Sequence, residues 1–392
     1  MMVRPNGFPL HALAVLSLLL APTAASAQAT ANVSQQTLDL LQKITLAQGT
    51  SGDEGDVRAL IRAEVGNAVH LEETPKGDLV AKLPGTKPGP VILLSSHLDE
   101  VGFQVRAITP EGFLQVAPLG NWYAGSMADH LVTVRTSHGP ITGVVGVRPP
   151  HLMSAEDKTK APGVMEMYID IGASSAAEAR QWGVQLGDRI APQSSFLELG
   201  NSGRYISKAW DNRVGCAILA QLARKLATTP HPNTIYIAWT TSEEFGRSNA
   251  TVEMPELKPD FVIVVEVGIT TDTPDRKTGE QQEALGGGPT LDLYDGSIST
   301  TPAIRDWFTA QAKASGIPLQ YTTILQEGFG VGTENSSYLF RAPSTALLVP
   351  LRYAHSPRGV IDIRDYLHTR ALLMQVLEHL NTAALRQMTG KE

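Results

Sequence analysis

Four apolar runs in this chain stop at or just before a histidine or a carboxylate. Val91-Ile92-Leu93-Leu94 leads into His97, Thr234 to Thr241 into Glu243-Glu244, Phe261 to Val267 into Glu266 at its end, and Thr345 to Pro350 precedes His355. Short continuous apolar runs of this kind read as strands buried on both faces. In an open α/β sheet, sites form beyond the carboxyl ends of the strands, where residues distant in sequence meet. The recurrence predicts an α/β fold with a site along one edge of its sheet.

The remaining pattern supplies helices and an insertion. Ser34 is placed to cap an amphipathic segment containing Leu38, Leu41 and Leu46, and a second helix is expected after Asp53 through Ile61. Helical patterning returns over Gly215 to Ala227 and over Arg364 to Leu385, the latter read as one C-terminal surface helix. Between Gln104 and Arg204, short alternating strands such as Leu131 to Arg135 and Ile141 to Val145 are separated by Gly and Pro turns. The expected division is a first catalytic part over 34–103, an inserted β-rich domain over 104–204 and a second catalytic part over 205–386. The segment Gly268 to Pro289, with its Gly286-Gly287-Gly288, is expected to form a loop near the cleft.

The first residues carry Arg4, an apolar segment from Leu10 to Ala21 and Ala25-Ser26-Ala27, the three parts of a secretory signal peptide with cleavage expected after Ala27. Periplasmic or secreted localisation follows as an expectation. The apolar segment falls short of the roughly 20 residues needed to span a bilayer, so no membrane association is expected after cleavage. The lone Cys216 excludes an internal disulfide framework and reads as a small buried apolar residue. A net charge of −7 gives no basic footprint for nucleic acid and leaves small or peptide-like substrates as the better fit.

Five stretches hold metal-ligand residue types in order: His97-Leu98-Asp99-Glu100, Asp211-Asn212-Arg213, Glu243-Glu244, Glu266 and His355. Each has a plain alternative. His97-x-Asp99 fits a capped surface loop, Asp211 an N-cap, Glu243-Glu244 a solvated acidic pair, and His355 an exposed loop histidine. Taken together they read as a two-metal hydrolase site, and the mixture of imidazole and carboxylate suits zinc, cobalt or manganese. Asp99, two residues from His97, is placed to orient the imidazole rather than to ligate. Asp211 is placed to bridge two ions roughly 3.5 to 4 Å apart. Glu243, Glu244 and Glu266 close buried runs, where unpaired carboxylates are costly and a cation removes the difficulty.

On these residues the chain resembles the tetrahedral aminopeptidase family, which includes glutamyl and deblocking aminopeptidases and members under an older endoglucanase label. The match is carried by S-S-H-L-D-E-V-G-F at 95–103, G-V-V-G-V-R-P-P-H-L at 143–152 and D-I-G-A-S-S at 170–175. It continues with A-W-D-N-R-V-G at 209–215, T-S-E-E-F-G at 241–246 and R-Y-A-H-S-P at 352–357. The resemblance implies a three-layer α/β/α, phosphorylase/hydrolase-like catalytic domain interrupted by a β-barrel or PDZ-like domain, and a homo-oligomer. It implies two divalent metal ions per chain, one on His97, Asp211 and Glu266, the other on Asp211, Glu244 and His355. Glu243 would be the general base, Asp99 its catalytic companion, and a free substrate amino terminus would be bound at the metals. A non-proline cis peptide between Asp211 and Asn212 is also implied.

Three stretches depart from the family pattern. Glu266 stands where the family usually has Asp, Gly332-Thr333-Glu334-Asn335-Ser336 replaces the familiar G-x-T-D-A, and the second glycine after Glu243-Glu244 is lost in Phe245 to Ala250. Acidic Glu334 would favour basic substrate side chains. The expectation is an exported metal-dependent aminopeptidase acting on short peptides. The alternatives are a related carboxypeptidase or deacylase, a glycoside hydrolase using paired carboxylates, and a non-catalytic assembly module.

Overall fold

The structure, a computed structural model, describes residues 33–160, 163–245, 254, 256–275, 283–295, 297–324 and 342–390. The expected signal segment, the stretch around Glu334 and residues 246–250 lie outside them.

The described residues begin with helices α1, Gln35–Leu46, and α2, Gly55–Val65. Ser34 caps α1, its hydroxyl accepting the Thr37 amide at 3.2 Å, and the apolar face buries Leu40, Leu41 and Ile44. Strands β1, Leu71–Glu73, β2, Leu79–Leu83, and β3, Val91–His97, follow. Then come β4, Gly102–Ile108, β5, Leu114–Leu119, β6, Leu131–Thr136, β7, Gly139–Gly146, and β8, Tyr168–Asp170. After the short helix α3, Ala176–Gln181, β9, Arg189–Pro192, completes this group. Strands β10, Leu197–Glu198, and β11, Arg204–Ser207, lead to helix α4, Trp210–Leu226. The rest comprises β12, Thr234–Thr240, β13, Phe261–Ile269, β14, Thr290–Tyr294, α5, Pro302–Ser315, and β15, Gln320–Thr323. It ends with β16, Ser344–Leu351, β17, Gly359–Asp362, α6, Ile363–His379, and α7, Thr382–Thr389.

Among the described residues eight strands form one mixed sheet in the order β1-β2-β12-β3-β13-β16-β14-β15. Its centre, β12, β3, β13 and β16, is parallel, with Thr240 opposite His97 and Glu266 opposite Leu348. The carboxyl ends of these four strands therefore reach the same edge. Their continuous apolar runs are explained by burial on both faces. Ile92, Leu94, Ile237, Trp239, Ile263, Val265 and Val349 pack beneath the helices, while Leu93, Ala238, Val262, Val264, Ala346 and Leu348 pack on the opposite face with Met254, Leu257 and Ile298.

Strands β4-β5-β8-β7-β6-β9 close into an antiparallel barrel, resolving the barrel or PDZ-like expectation in favour of the barrel. Its interior is Phe103, Val105, Leu114, Val116, Val132, Val134, Val145, Ile169 and Ile190, and Phe103 stacks on Trp122 at 5.4 Å. A three-stranded sheet, β10-β11-β17, ties the chain leaving the barrel to the C-terminal part.

Two local expectations need correction. Arg364 to Leu385 is two helices, because the chain turns at Leu380 and Asn381 begins again as a cap, accepting the Ala384 amide at 3.0 Å. The first of them also buries Tyr366, Leu372, Leu373, Val376 and Leu377, so only part of it faces solvent. Gly268, expected in a loop, still belongs to β13. Among the described residues no helix is long and apolar enough to cross a membrane.

Candidate metal centre

His97 ends β3 with its side chain 1% exposed. Its Nε2 lies 3.0 Å from Asp211 Oδ1, 3.4 Å from Glu266 Oε2 and 3.7 Å from Glu243 Oε2. From the loop between β16 and β17, His355 Nε2 reaches Asp211 Oδ2 at 3.2 Å and Glu244 Oε2 at 3.4 Å. Asp211 thus presents one oxygen to each imidazole. All five residues expected as ligands and the expected base converge here. His97, Asp211 and Glu266 form one group with ligand atoms within 4.8 Å of one another, and Asp211, Glu244 and His355 form a second. His97, Glu243 and Glu244 form a third.

Local geometry explains the convergence. The peptide between Asp211 and Asn212 is cis, and both residues leave helical geometry at the start of α4. The Asn212 side chain donates to the Val265 carbonyl at 2.9 Å and to Glu266 Oε2 at 2.5 Å, and accepts the Gly215 amide at 3.1 Å. A Cβ at Gly215 would meet Asn212 Oδ1 at 2.4 Å, the Val265 carbonyl at 2.5 Å and Ser96 Oγ at 2.6 Å, so only glycine lets α4 press this closely on the sheet. Beyond Thr240 the strand ends, Ser242 takes a φ of 60°, and both following glutamates turn toward the imidazoles. Ala209, Tyr353 and His355 also have positive φ. Such values are sparsely populated by non-glycine residues and cluster at functional sites.

The supporting residues divide the orienting work. His97 Nδ1 lies 3.1 Å from the Asp99 carbonyl and 3.4 Å from its carboxylate. The same carboxylate accepts from Ser51 Oγ at 2.5 Å and from the Glu243 and Glu244 amides at 3.0 Å each, so Asp99 holds the glutamate turn as well as the imidazole. His355 Nδ1 is set by the Asn121 carbonyl at 2.7 Å, on the segment after β5. No sequence signal marks that contact, because every residue carries a carbonyl. Glu100 and Arg213, inside the motifs, stand apart from the cluster. Glu100 pairs with buried Lys208 at 2.5 Å, with Arg213 Nη2 at 3.6 Å. Cys216 is buried below, its thiol donating to the His97 carbonyl at 3.0 Å, and burial pushes it up to about 12, so it stays a thiol.

The electrostatics fit a cation. Burial pushes Glu244 and Glu266 well above the usual carboxylate range, and Asp211 and Glu243 add to this. Burial lifts Glu243 to about 7, with Asp99 and Asp211 adding to it. Burial alone would lower His97, yet the Glu266 and Glu243 carboxylates and the Asp211 hydrogen bond hold it well above its ordinary value. His355 rises to about 10: burial opposes the shift, and Glu244 and Asp211 outweigh it. Among the described residues Glu244 Oε1 is buried without a hydrogen-bond partner. Carboxylates in excess over imidazoles, with one oxygen unpaired, are the donor set of a divalent ion. These groups could hold metal, and two imidazoles sharing one carboxylate serve no purpose in glycoside chemistry.

Residues 77–372 match the family model described as M42 glutamyl aminopeptidase. The chain is 31% identical over 360 residues to the glutamyl aminopeptidase of Lactococcus lactis subsp. cremoris (strain MG1363), covering 89% of this chain and 98% of that protein. Among solved structures, a TET aminopeptidase from the marine sediment archaeon Thaumarchaeota archaeon SCGC AB-539-E09 superposes with a TM-score of 0.85 at 30% identity, over 90% of this chain and 99% of the other. The TET1 peptidase of Pyrococcus horikoshii, which can assemble into a tetrahedron or a large octahedral shell, gives 0.78 at 26% identity, over 88% and 100%.

Proposed function

The chain belongs to the M42 glutamyl aminopeptidase family and is a peptide hydrolase, and from that premise we propose that it is an exported aminopeptidase that works with two divalent ions on short peptides. The observation that carries this reading is Asp211, whose two oxygens lie 3.0 and 3.2 Å from the two imidazoles. His97, Asp211 and Glu266 would hold one ion and Asp211, Glu244 and His355 the other, with zinc the first choice and cobalt or manganese the alternatives. Glu266 replaces the family's usual aspartate, and the Asn212 amide and the Val267 N–H hold its longer side chain in place. When bound, the ions supply Lewis acidity for the scissile carbonyl and a lowered pKa for water.

Glu243 is the general base. Its carboxylate sits beside His97 with 12% exposure, open enough to meet water. It takes a proton from the attacking water and returns it to the leaving amine. Asp99 fixes its backbone, and Asn121 fixes His355. Export rests on Arg4, Leu10 to Ala21 and Ala25-Ser26-Ala27, and the mature protein would begin at Gln28 in the periplasm or outside the cell. A homo-oligomer is part of the proposal, supported by the shells of the Pyrococcus horikoshii relative.

The test is amino-acid release from a panel of short peptides, with and without chelator, comparing the parent with Glu243→Gln. The variant should lose about a thousandfold in kcat/KM while keeping its metal. Chelator-insensitive release, release from the carboxyl end, or parent-like activity of the variant would refute the assignment.

A further inference from the structure

The turn carrying Glu243 and Glu244 has four consecutive backbone N–H groups, and all four donate to carboxylates. Thr241 N–H donates to Asp78 Oδ1 at 3.0 Å and Ser242 N–H to Glu54 Oε1 at 3.3 Å. The Glu243 and Glu244 amides follow onto the two oxygens of Asp99. Asp78 stands just ahead of β2, Glu54 at the start of α2 and Asp99 after β3, and all three are buried.

Glu54 gives up its ordinary local role to do this. It occupies the N-cap of α2 yet makes no side-chain cap, although a residue there normally satisfies a first-turn amide. Its carboxylate turns instead to Gly52 N–H at 2.7 Å and to Ser242 N–H. Ser242, at φ 60°, needs support from its surroundings to stay in that region. Asp78 is committed the same way: Oδ1 also accepts the Thr241 hydroxyl at 3.1 Å, and Oδ2 accepts from Thr74 Oγ1 at 3.1 Å. Four such hydrogen bonds in succession leave the turn little freedom.

We infer that Glu54, with Asp78 beside it, is a positioning residue for the hydrolysis: together with Asp99 they bend the chain after β12 so that Glu243 and Glu244 face the imidazoles. On a continuing strand the two side chains would point to opposite faces. The inference rests on the proposed role of Glu243 as base.

In the full chain, assayed on a short peptide with a free amino terminus, Glu54→Ala should lower kcat by about a hundredfold with KM moved less than about threefold. Glu54→Gln keeps a carbonyl oxygen for Gly52 and Ser242 and should recover kcat to within about fivefold of the parent. Asp78→Ala removes the neighbouring acceptor, should show the same kcat-selective loss, and carries the test if Glu54→Ala does not fold. Parent-like kcat in the folded alanine variant, a loss confined to KM, or no recovery with glutamine would overturn the inference. Glu243→Gln separates the two readings. Parent-like activity there refutes the base itself, whereas an inactive Glu243→Gln beside a parent-like Glu54→Ala refutes only the positioning role.

Discussion

The barrel and the sheet edge bury opposite kinds of side chain. Between Gly102 and Pro192 the one buried polar side chain among the described residues is Thr136, still 8% exposed, and the interior is aliphatic and aromatic. The sheet layer buries Glu54, Asp78, His97, Asp99, Glu100, Lys208, Arg213 and Glu266, most of them gathered at the carboxyl ends of its strands. Taking one ion out of water costs several kcal/mol unless it is paired and hydrogen-bonded. A fold tolerates that cost in one layer and avoids it in the other when chemistry sits in the first. The barrel supplies stability and one carbonyl, that of Asn121, to the site.

The comparison can be broken most sharply at Lys208. Lys208→Ala would leave Glu100 buried with Arg213 Nη2 at 3.6 Å as its nearest remaining cation, and should destabilise the protein by about 3 to 5 kcal/mol in denaturant unfolding. In the barrel, Ile169→Ala should cost about 2 to 5 kcal/mol through the cavity it leaves, with kcat/KM unchanged at temperatures where the variant is folded. A matching loss of activity would show that the barrel interior is coupled to the site.

Glu283 is a further buried acid of the sheet layer, and its carboxyl is pushed up by burial to about 8 from an ordinary 4.5. The folded state therefore keeps a proton that the unfolded chain releases, so this group lowers stability as pH rises from 4.5 toward 8. Glu283→Gln should remove up to about 1.4 kcal/mol per pH unit of that slope, read from unfolding curves across the window. An unchanged slope would assign the pH dependence elsewhere. The smallest effect is expected at the seam between the two regions. Arg135 of the barrel pairs with Asp53 at 3.0 Å and with Asp56, both sides being partly exposed. Arg135→Ala should cost less than about 1 kcal/mol, and a larger loss would mean that this seam is tighter than its exposure implies.

Much of the site was legible because buried carboxylates at strand ends violate the pattern of an apolar run. Glu266 and the Glu243-Glu244 pair announced themselves that way, and His97 by following Val91 to Leu94. Glu54 and Asp78 gave no such signal, since each lies in a polar turn where an acid is ordinary. Lys208 was equally silent, because a lysine beside a helix start is usually solvated. The break at Leu380 was hidden by helical periodicity that continues across it, and only the Asn381 cap marks it.

The sequence by itself determined the doubly buried central strands of an α/β sheet, the alternating strands of the insertion and the residues that would meet at one edge, because each depends on local periodicity and on where apolar runs stop. Only the tertiary structure decided that the insertion closes as a barrel, that Asp99, Glu54 and Asp78 turn Glu243 and Glu244 toward the imidazoles, and that the Asn121 carbonyl sets His355. Those outcomes depend on contacts between segments far apart in the chain: Asp99 and Glu54 holding a turn more than a hundred residues away, and Asn121 holding His355. A backbone amide or carbonyl is the same at every position, so which one a distant carboxylate or imidazole captures is set by the packed fold.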